Sequence, residues 1–242
     1  MILNISFIIA LFSILPSEIP NGKTIIENSI QFHDPNNNWQ NLQAQLNFVE
    51  TRPNGDDRHT SVYIDNMRGN FCSTQEVKKM HVQRHIKNDS CFYNIDEYEE
   101  LTNSEIEEYK LNDERSFFIR NYYLYLWGMP MKLNDEGTHF SKTAKLTKFD
   151  NKSAYEVKVW YEEKTGSDTW FFYFDPENFA MIGYRFYHDV SKNDGEYILL
   201  KENELVFGLQ IPKSRSWYTH TDSTFLGTDI LESFNDLHHT HF

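Results

Sequence analysis

"YLYLWGMPMKLNDEGT", running from Tyr123 to Thr138, decides how the rest of the chain is read. Aromatic and sulfur side chains crowd around one proline, and the run then stops in polar residues. It is shorter than the roughly twenty apolar residues that cross a bilayer, and it is more aromatic than a solvated helix. Such a run either plugs a core or lines a place where an apolar ligand sits. Just upstream, "LTNSEIEEYKLNDERSFFIRNYYLYLWG" reads as helical. Ser104 with Glu107 forms a capping box, Asp113 caps a further helix, and Phe117, Asn121, Leu124 and Tyr125 fall near helical spacing. Gly128 and Pro130 end the helix.

On both sides of this segment the period drops to two. In "WQNLQAQLNFVE", Leu42, Ala44, Leu46 and Phe48 share one side with Gln and Asn opposite, which is the signature of a half-buried strand. "HTSVYIDNMRGNFC", "VKKMHVQRHIKN" and "CFYNID" continue as strands after the "RPNGDD" break. Beyond the aromatic helix, Tyr155, Val157, Val159 and Tyr161 alternate with Glu156, Lys158 and Trp160. Strands follow at Trp170 to Phe174, at "MIGYRFYH", and in two pieces of "EYILLKENELVFGLQIPKSRSWYT". Near the start, "KTIIENSIQFHD" is a helix with a capping box at Thr24 and Glu27, and Ile26, Ile30 and His33 lie on one face. The order is helix, strands, helices, strands, with no linker and no repeat. This predicts an α+β fold in one domain: a curled antiparallel sheet with the central helices as its lid.

Composition narrows the function. The formal net charge is −13 over 242 residues, with no dense Lys/Arg cluster. This excludes nucleic acid, whose phosphates demand a basic face, and predicts a soluble monomer that repels its copies. Residues 1–20 read as a signal peptide, with an apolar stretch from Ile2 to Leu15, although no basic residue precedes it; a buried N-terminal element is the other reading. The domain is set at 21–234 and a flexible tail at 235–242. Cys72 and Cys91 are the only cysteines. They pair if the chain is exported, and otherwise stand as free buried thiols.

Chemistry-bearing motifs are sparse. His81 and His85 share a strand face but lack further ligands. The tail histidines His238, His239 and His241 resemble a chelating tag. The carboxylates of "NIDEYEELTNSEIEEY" read as a solvated helix face. Asp175 before Pro176 reads as a hairpin turn. No nucleophile motif and no phosphate loop occurs.

Four fragments together resemble the DUF6503 family of uncharacterised exported bacterial proteins. They are "IQFHDPNNNWQNLQAQLNFVE", with His33 and Trp39; "YYLYLWGMPMKLNDEGT", with Pro130, Lys132, Leu133, Asp135 and Gly137; "SAYEVKVWYEEKTGSDTWFFYFDPEN", with Gly166, Asp168, Asp175 and Pro176; and "FGLQIPKSRSWY", with Gly208 and Pro212. The usual His-Gly-Gly is His33-Asp34-Pro35 here. The resemblance implies a fold of the lipoprotein-carrier type, as in LolA and LolB: an open half-barrel with a helical lid over an apolar cavity. It implies a place in the periplasm or envelope of a Gram-negative bacterium and a lipid or other apolar ligand. It brings no catalytic residue, metal or cofactor. Candidate ligand contacts are Trp127, Met129 and Met131 on the lid, Trp160, Trp170 and Phe172 on the sheet, and Trp39 and His33 beside them; plain core packing competes for each. Two other functions stay open. One is a structural or interaction protein whose half-barrel is filled by its own aromatics, and the other is a hydrolase acting on envelope lipid or glycan.

Overall fold

The computed structural model describes residues 19–96, 100–162 and 166–236. The apolar leader through residue 18, the histidine-bearing tail from 237 and parts of the "NIDEYEELTNSEIEEY" and "EKTGSD" segments lie outside the described residues. The first helix, α1 (Gly22–His33), leads into five strands: β1 (Gln43–Thr51), β2 (Arg58–Asp65), β3 (Asn70–Val77), β4 (Met80–Lys87) and β5 (Ser90–Ile95). Two helices follow, α2 (Asn103–Glu108) and α3 (Asp113–Gly128). Eight strands follow: β6 (Thr138–Phe140), β7 (Lys145–Phe149), β8 (Lys152–Tyr161), β9 (Thr169–Phe174), β10 (Met181–Tyr187), β11 (Glu196–Val206), β12 (Leu209–Thr219) and β13 (Phe225–Asp236). β13 reaches Asp236, so pairing continues two residues into the stretch expected as tail.

All thirteen strands form one antiparallel sheet, in the order β5-β4-β3-β2-β1-β13-β12-β11-β10-β9-β8-β6, with β7 also on β8. The chain therefore starts in the middle of the sheet and meanders out to one edge at β5. It crosses over the face as α2 and α3, then meanders back from the other edge. The two meanders join where the last strand pairs the first, Leu46 opposite Phe234 and Glu50 opposite Asp229. Among the described residues β5 and β6 have no partner on their outer sides, so the sheet is open. Antiparallel neighbours joined by short turns need no crossover helix, which frees the helices to cover the concave face.

The helices start one to three residues earlier than the sequence reading placed them. Asn21 caps α1 by accepting from Thr24 N at 2.9 Å. The capping box of α2 is Thr102 with Glu105, and Asn112 caps α3. Thr24, Ser104 and Asp113 are already inside their helices. Asn, Asp, Ser and Thr are all favoured caps for free N–H groups, and periodicity alone does not choose between caps within a turn of each other.

Cys72 and Cys91 are free, which corrects the expected bridge. Cys72 is paired with His85, and Cys91 with Ile86. Alternation turns Phe71, Ile86 and Cys91 toward the concave side and Cys72 away from it, so the two thiols lie on opposite faces. His81 and His85 do share the convex face, where His81 meets Asp96 at 3.2 Å. Asp175 anchors the β9–β10 turn, its Oδ1 accepting from Glu177 N at 2.8 Å.

The interior is built in two halves. Ala44, Leu46, Phe48, Val62, Ile64 and Phe71 of β1 to β3 pack with Ile119, Tyr123, Leu126 and Trp127 of α3. On the other side Val157, Val159, Phe172, Phe174 and Ile198 of β8, β9 and β11 pack with Ile25 and Ile26 of α1 and with Met129 and Leu133. A small satellite sits on the convex face, where Phe149 stacks on Tyr173 with ring centroids 4.0 Å apart. Gly183 lies beneath it: a Cβ there would come 2.2 Å from the Phe149 ring and 2.5 Å from the carbonyl oxygen of Ile198. Overpacking of this kind costs about 1–3 kcal/mol. Gly183→Ala is therefore expected to lower the urea unfolding free energy by that amount with an unchanged m-value, and a variant as stable as the parent would contradict the packing described.

Candidate functional site

The concave face carries more than apolar residues. One transverse row of the sheet reads Leu200, Arg215, Asp229, Glu50, Arg58 across β11, β12, β13, β1 and β2, each residue registered opposite the next. Cross-strand neighbours on one face stand about 5 Å apart at Cβ, so four charged side chains line up under α3. Three of them are buried, Arg215 at 1% exposed, Glu50 at 5% and Asp229 at 6%, while Arg58 is half-buried.

The row is only half paired. Glu50 holds Arg58 through both carboxylate oxygens, one of them at 2.6 Å from Nη2. Glu50 also accepts from Thr60 Oγ1 at 2.8 Å. Tyr123 reaches down from α3, its hydroxyl taking a 2.8 Å bond from Gln75 Nε2 and donating to Glu50 at 3.5 Å. Asp229 instead accepts from Trp217 Nε1 at 3.0 Å. Burial, and then the Glu50 charge, push the Asp229 carboxyl up to about 6. Arg215 donates one bond, from Nη1 to the carbonyl of Pro212 at 2.9 Å. Its guanidinium lies on the Trp127 ring, 3.9 Å from the centroid, and burial brings its pKa down to about 10.

The two halves of the face beside this row are covered to different extents. On the β1–β4 side Trp127 is fully buried and packs against Phe48 at 5.1 Å, with Tyr123 on the same ring at 5.3 Å. That half is solid. On the β8–β12 side the inward rings at the end of the sheet stay half-buried: Trp170, Phe186, Tyr161 and Trp217, with Tyr125 of α3 above them. Tyr125 sits 5.7 Å from Tyr161 and 5.9 Å from Trp170, and Trp170 sits 4.8 Å from Phe186. The hydroxyls of Tyr125 and Tyr161 are buried without a hydrogen-bond partner among the described residues. Trp127 Nε1, on the other half, is likewise buried without a partner among the described residues. Tyr122, 37% exposed, closes over the row; burial and the nearby Asp229 charge push its hydroxyl well above the usual phenol range.

Trp127, Met129, Trp170 and Phe172 thus stand between helix and sheet. Trp127, Met129 and Phe172 are buried as core, and Trp170 alone among them reaches the half-covered region. Trp160 faces outward, 40% exposed and stacked on His139, because alternation with the inward Val159 requires it. His33 is a tie between elements: Nδ1 donates to the carbonyl of Gln210, 2.5 Å away, and Nε2 accepts from Met181 N at 3.0 Å. With both nitrogens engaged, burial holds its pKa down to about 4. Trp39 packs on the last turn of α3, where a Cβ on Gly128 would come 2.4 Å from its ring. Trp39 and Met131 also border a separate cleft of ≈ 410 Å³ beside Asn37, Asn66, Lys132 and Asp135, which is too polar to receive a hydrocarbon. Sequence reasoning missed Glu50, Arg215 and Asp229. The available signal was parity: Arg215 shares its side of the strand with Ile211 and Trp217.

The Asp229 shift has a consequence for stability. Raising a carboxylate from an ordinary 3.8 to about 6 corresponds to roughly 3 kcal/mol between the two protonation states. The folded chain holds the extra proton, so this group's contribution falls as pH climbs from about 4 to about 6 and stays low above that. His33 acts in the opposite sense, its contribution lost as pH falls from about 6.5 toward 4. Comparing variant and parent at each pH cancels it. Asp229→Asn is expected to be more stable than the parent at pH 7, by about 1–3 kcal/mol, with no advantage below pH 4; chemical denaturation at both pH values checks this, and equal stabilities at pH 7 would contradict the assigned burial.

Among solved structures the fold is similar to a LolA superfamily protein from Nitrosomonas europaea, at 11% identity and a TM-score of 0.53, covering 90% of this chain and 94% of that one. It is also similar to a putative outer membrane lipoprotein-sorting protein domain from Vibrio parahaemolyticus, at 9% identity and a TM-score of 0.54, with 90% and 93% covered. A DUF1329 family protein from Desulfovibrio piger matches at 6% identity and a TM-score of 0.52, with 92% and 96% covered. At these identities the likeness speaks to the fold, an open curled sheet of the LolA type with few helices. No curated protein matches the chain. The model of a family of unknown function, DUF6503, matches residues 3–233, and the chain belongs to that family.

Proposed function

We propose that the protein is an exported, non-enzymatic binder of a lipid or similar amphiphile in the bacterial envelope. Its binding region is the half-covered trough between α3 and strands β8 to β12, not the whole interior. The observation that carries this is the contrast between the two halves. Phe48, Tyr123 and Trp127 close one side, whereas Tyr125, Tyr161, Trp170, Phe186 and Trp217 remain half-buried on the other. Apolar rings left part-wet under a helix lose about 25 cal/mol for each Å² that a ligand fails to cover. An acyl chain laid along them recovers that energy. The likeness to a LolA superfamily protein and to a putative outer membrane lipoprotein-sorting domain supports an envelope setting.

A second reading has its own support. The interlocked rings around Trp127 are those of a protein whose half-barrel fills itself and whose role is structural or interactive. A hydrolytic role draws less from the site, because Glu50 is engaged by Arg58 and Thr60 and presents no free base.

The two readings part on one experiment. Protein purified from its own host is expected to carry a co-purifying lipid in native mass spectrometry. After delipidation it should take up a single-chain amphiphile with a Kd in the micromolar range. Trp170→Ala should weaken uptake by about tenfold, a loss of about 1.4 kcal/mol, while Trp160→Ala leaves it unchanged. Absence of both bound lipid and uptake would leave the self-filled reading in its place.

A further inference from the structure

Arg215 is a buried charge with few partners. It is 1% exposed, and a guanidinium carries five N–H donors in a planar fork. Among the described residues it makes one side-chain hydrogen bond, to the Pro212 carbonyl, and its face rests on Trp127. Its register neighbour Asp229 does not close on it, since that carboxylate is turned to Trp217 Nε1. Glu50, the next carboxylate in the row, is taken by Arg58. A buried charge costs several kcal/mol unless it is paired, and here no ion pair to Arg215 forms among the described residues. Trp217, two residues along the same strand, is half-buried beside the trough, and Tyr122, 37% exposed, covers the row from α3.

Resting on the trough reading above, the geometry points to Arg215 as the anchor for the ligand's headgroup: the amphiphile is anionic, and its carboxylate or phosphate oxygens pair with the free edge of the Arg215 guanidinium beneath Tyr122. Trp127 keeps the flat face of the guanidinium, holding the fork edge-on to the trough. A planar fork matches two oxygens of one anion, which a lysine ammonium does not. The acyl chain then lies toward Trp170 and Phe186. Asp229 is the opposing charge, and it sets a limit on how tightly an anion is held while it is ionised.

The test is calorimetric titration of the delipidated full chain, below micelle-forming concentrations, with dodecanoate, dodecyl phosphate and the uncharged dodecyl dimethylamine oxide. The two anions are expected to bind about tenfold or more tightly than the amine oxide, equivalent to about 1.4 kcal/mol. Preference for dodecanoate assigns a fatty-acid-type carboxylate, and preference for dodecyl phosphate assigns a phospholipid-type phosphate. Arg215→Gln should abolish the gap between charged and uncharged ligands while retaining amine oxide binding, and Arg215→Lys should keep part of it. Asp229→Asn should tighten the anions and leave the amine oxide unchanged, a response that a purely structural arginine would not give. Equal binding of all three ligands by the parent chain overturns the assignment but spares the trough, and this comparison stands even where an Arg215 variant fails to fold. An undiminished gap in folded Arg215→Gln overturns it as well. Failure of every ligand to bind removes the trough and the anchor together.

Discussion

The Trp127 indole is held from two sides, with the Phe48 ring of β1 beneath it and the Arg215 guanidinium of β12 over its face. These two strands flank β13, the strand that closes the two meanders onto each other. One side chain of α3 therefore touches both sides of the seam of an open sheet that has no closure of its own. An open, curled sheet must bury its concave face against something, and a desolvated cation–π contact contributes about 2 kcal/mol where it occurs. The position of the lid, and which half of the face it seals, follow from where this indole sits.

That position has an asymmetric result. The α3 helix is docked over the β1–β4 side by Tyr123 and Trp127, and the ring of Phe118 is exposed. On the far side the cover is provided by α1 and the segment after Gly128, which reach Val157, Phe172 and Ile198 but leave the rings nearer the sheet end part-wet. The polar row of Arg215, Asp229, Glu50 and Arg58 divides the two. Charge in this place is costly for stability, as the elevated pKa of Asp229 shows. Arg215 offsets part of that cost through its contact with Trp127, and Glu50 does so through Arg58.

Much of this architecture was legible in the chain. Period-two runs from Leu42 to Phe48 and from Tyr155 to Tyr161 locate strands, because half-buried sheets sort their side chains by parity. The aromatic run ending at Gly128 and Pro130 identifies the lid, and its polar tail marks the exit. Strand order was not legible, since the pairing of β1 with β13 joins residues far apart in sequence. The pairing state of Cys72 and Cys91 depended on that same register, which puts them on opposite faces. The site was the least legible part. Arg215, Glu50 and Asp229 occupy inward positions where alternation calls for apolar side chains, and read alone they look like irregular strand ends. Their significance appears only when the register brings them into one row. His33, by contrast, stood out in the sequence and proved to be a hydrogen-bonded tie.

The central claim is that the β8–β12 half of the concave face is open to a ligand while the other half is shut. The five tryptophans sample both halves and the outside, and each gives one indole N–H signal in a nitrogen-15 correlation spectrum. Titrating the labelled, delipidated protein with dodecanoate should move the signals of Trp170 and Trp217 and leave Trp160 in place. A spectrum in which no indole moves, or in which only Trp39 and Trp160 respond, would contradict the account.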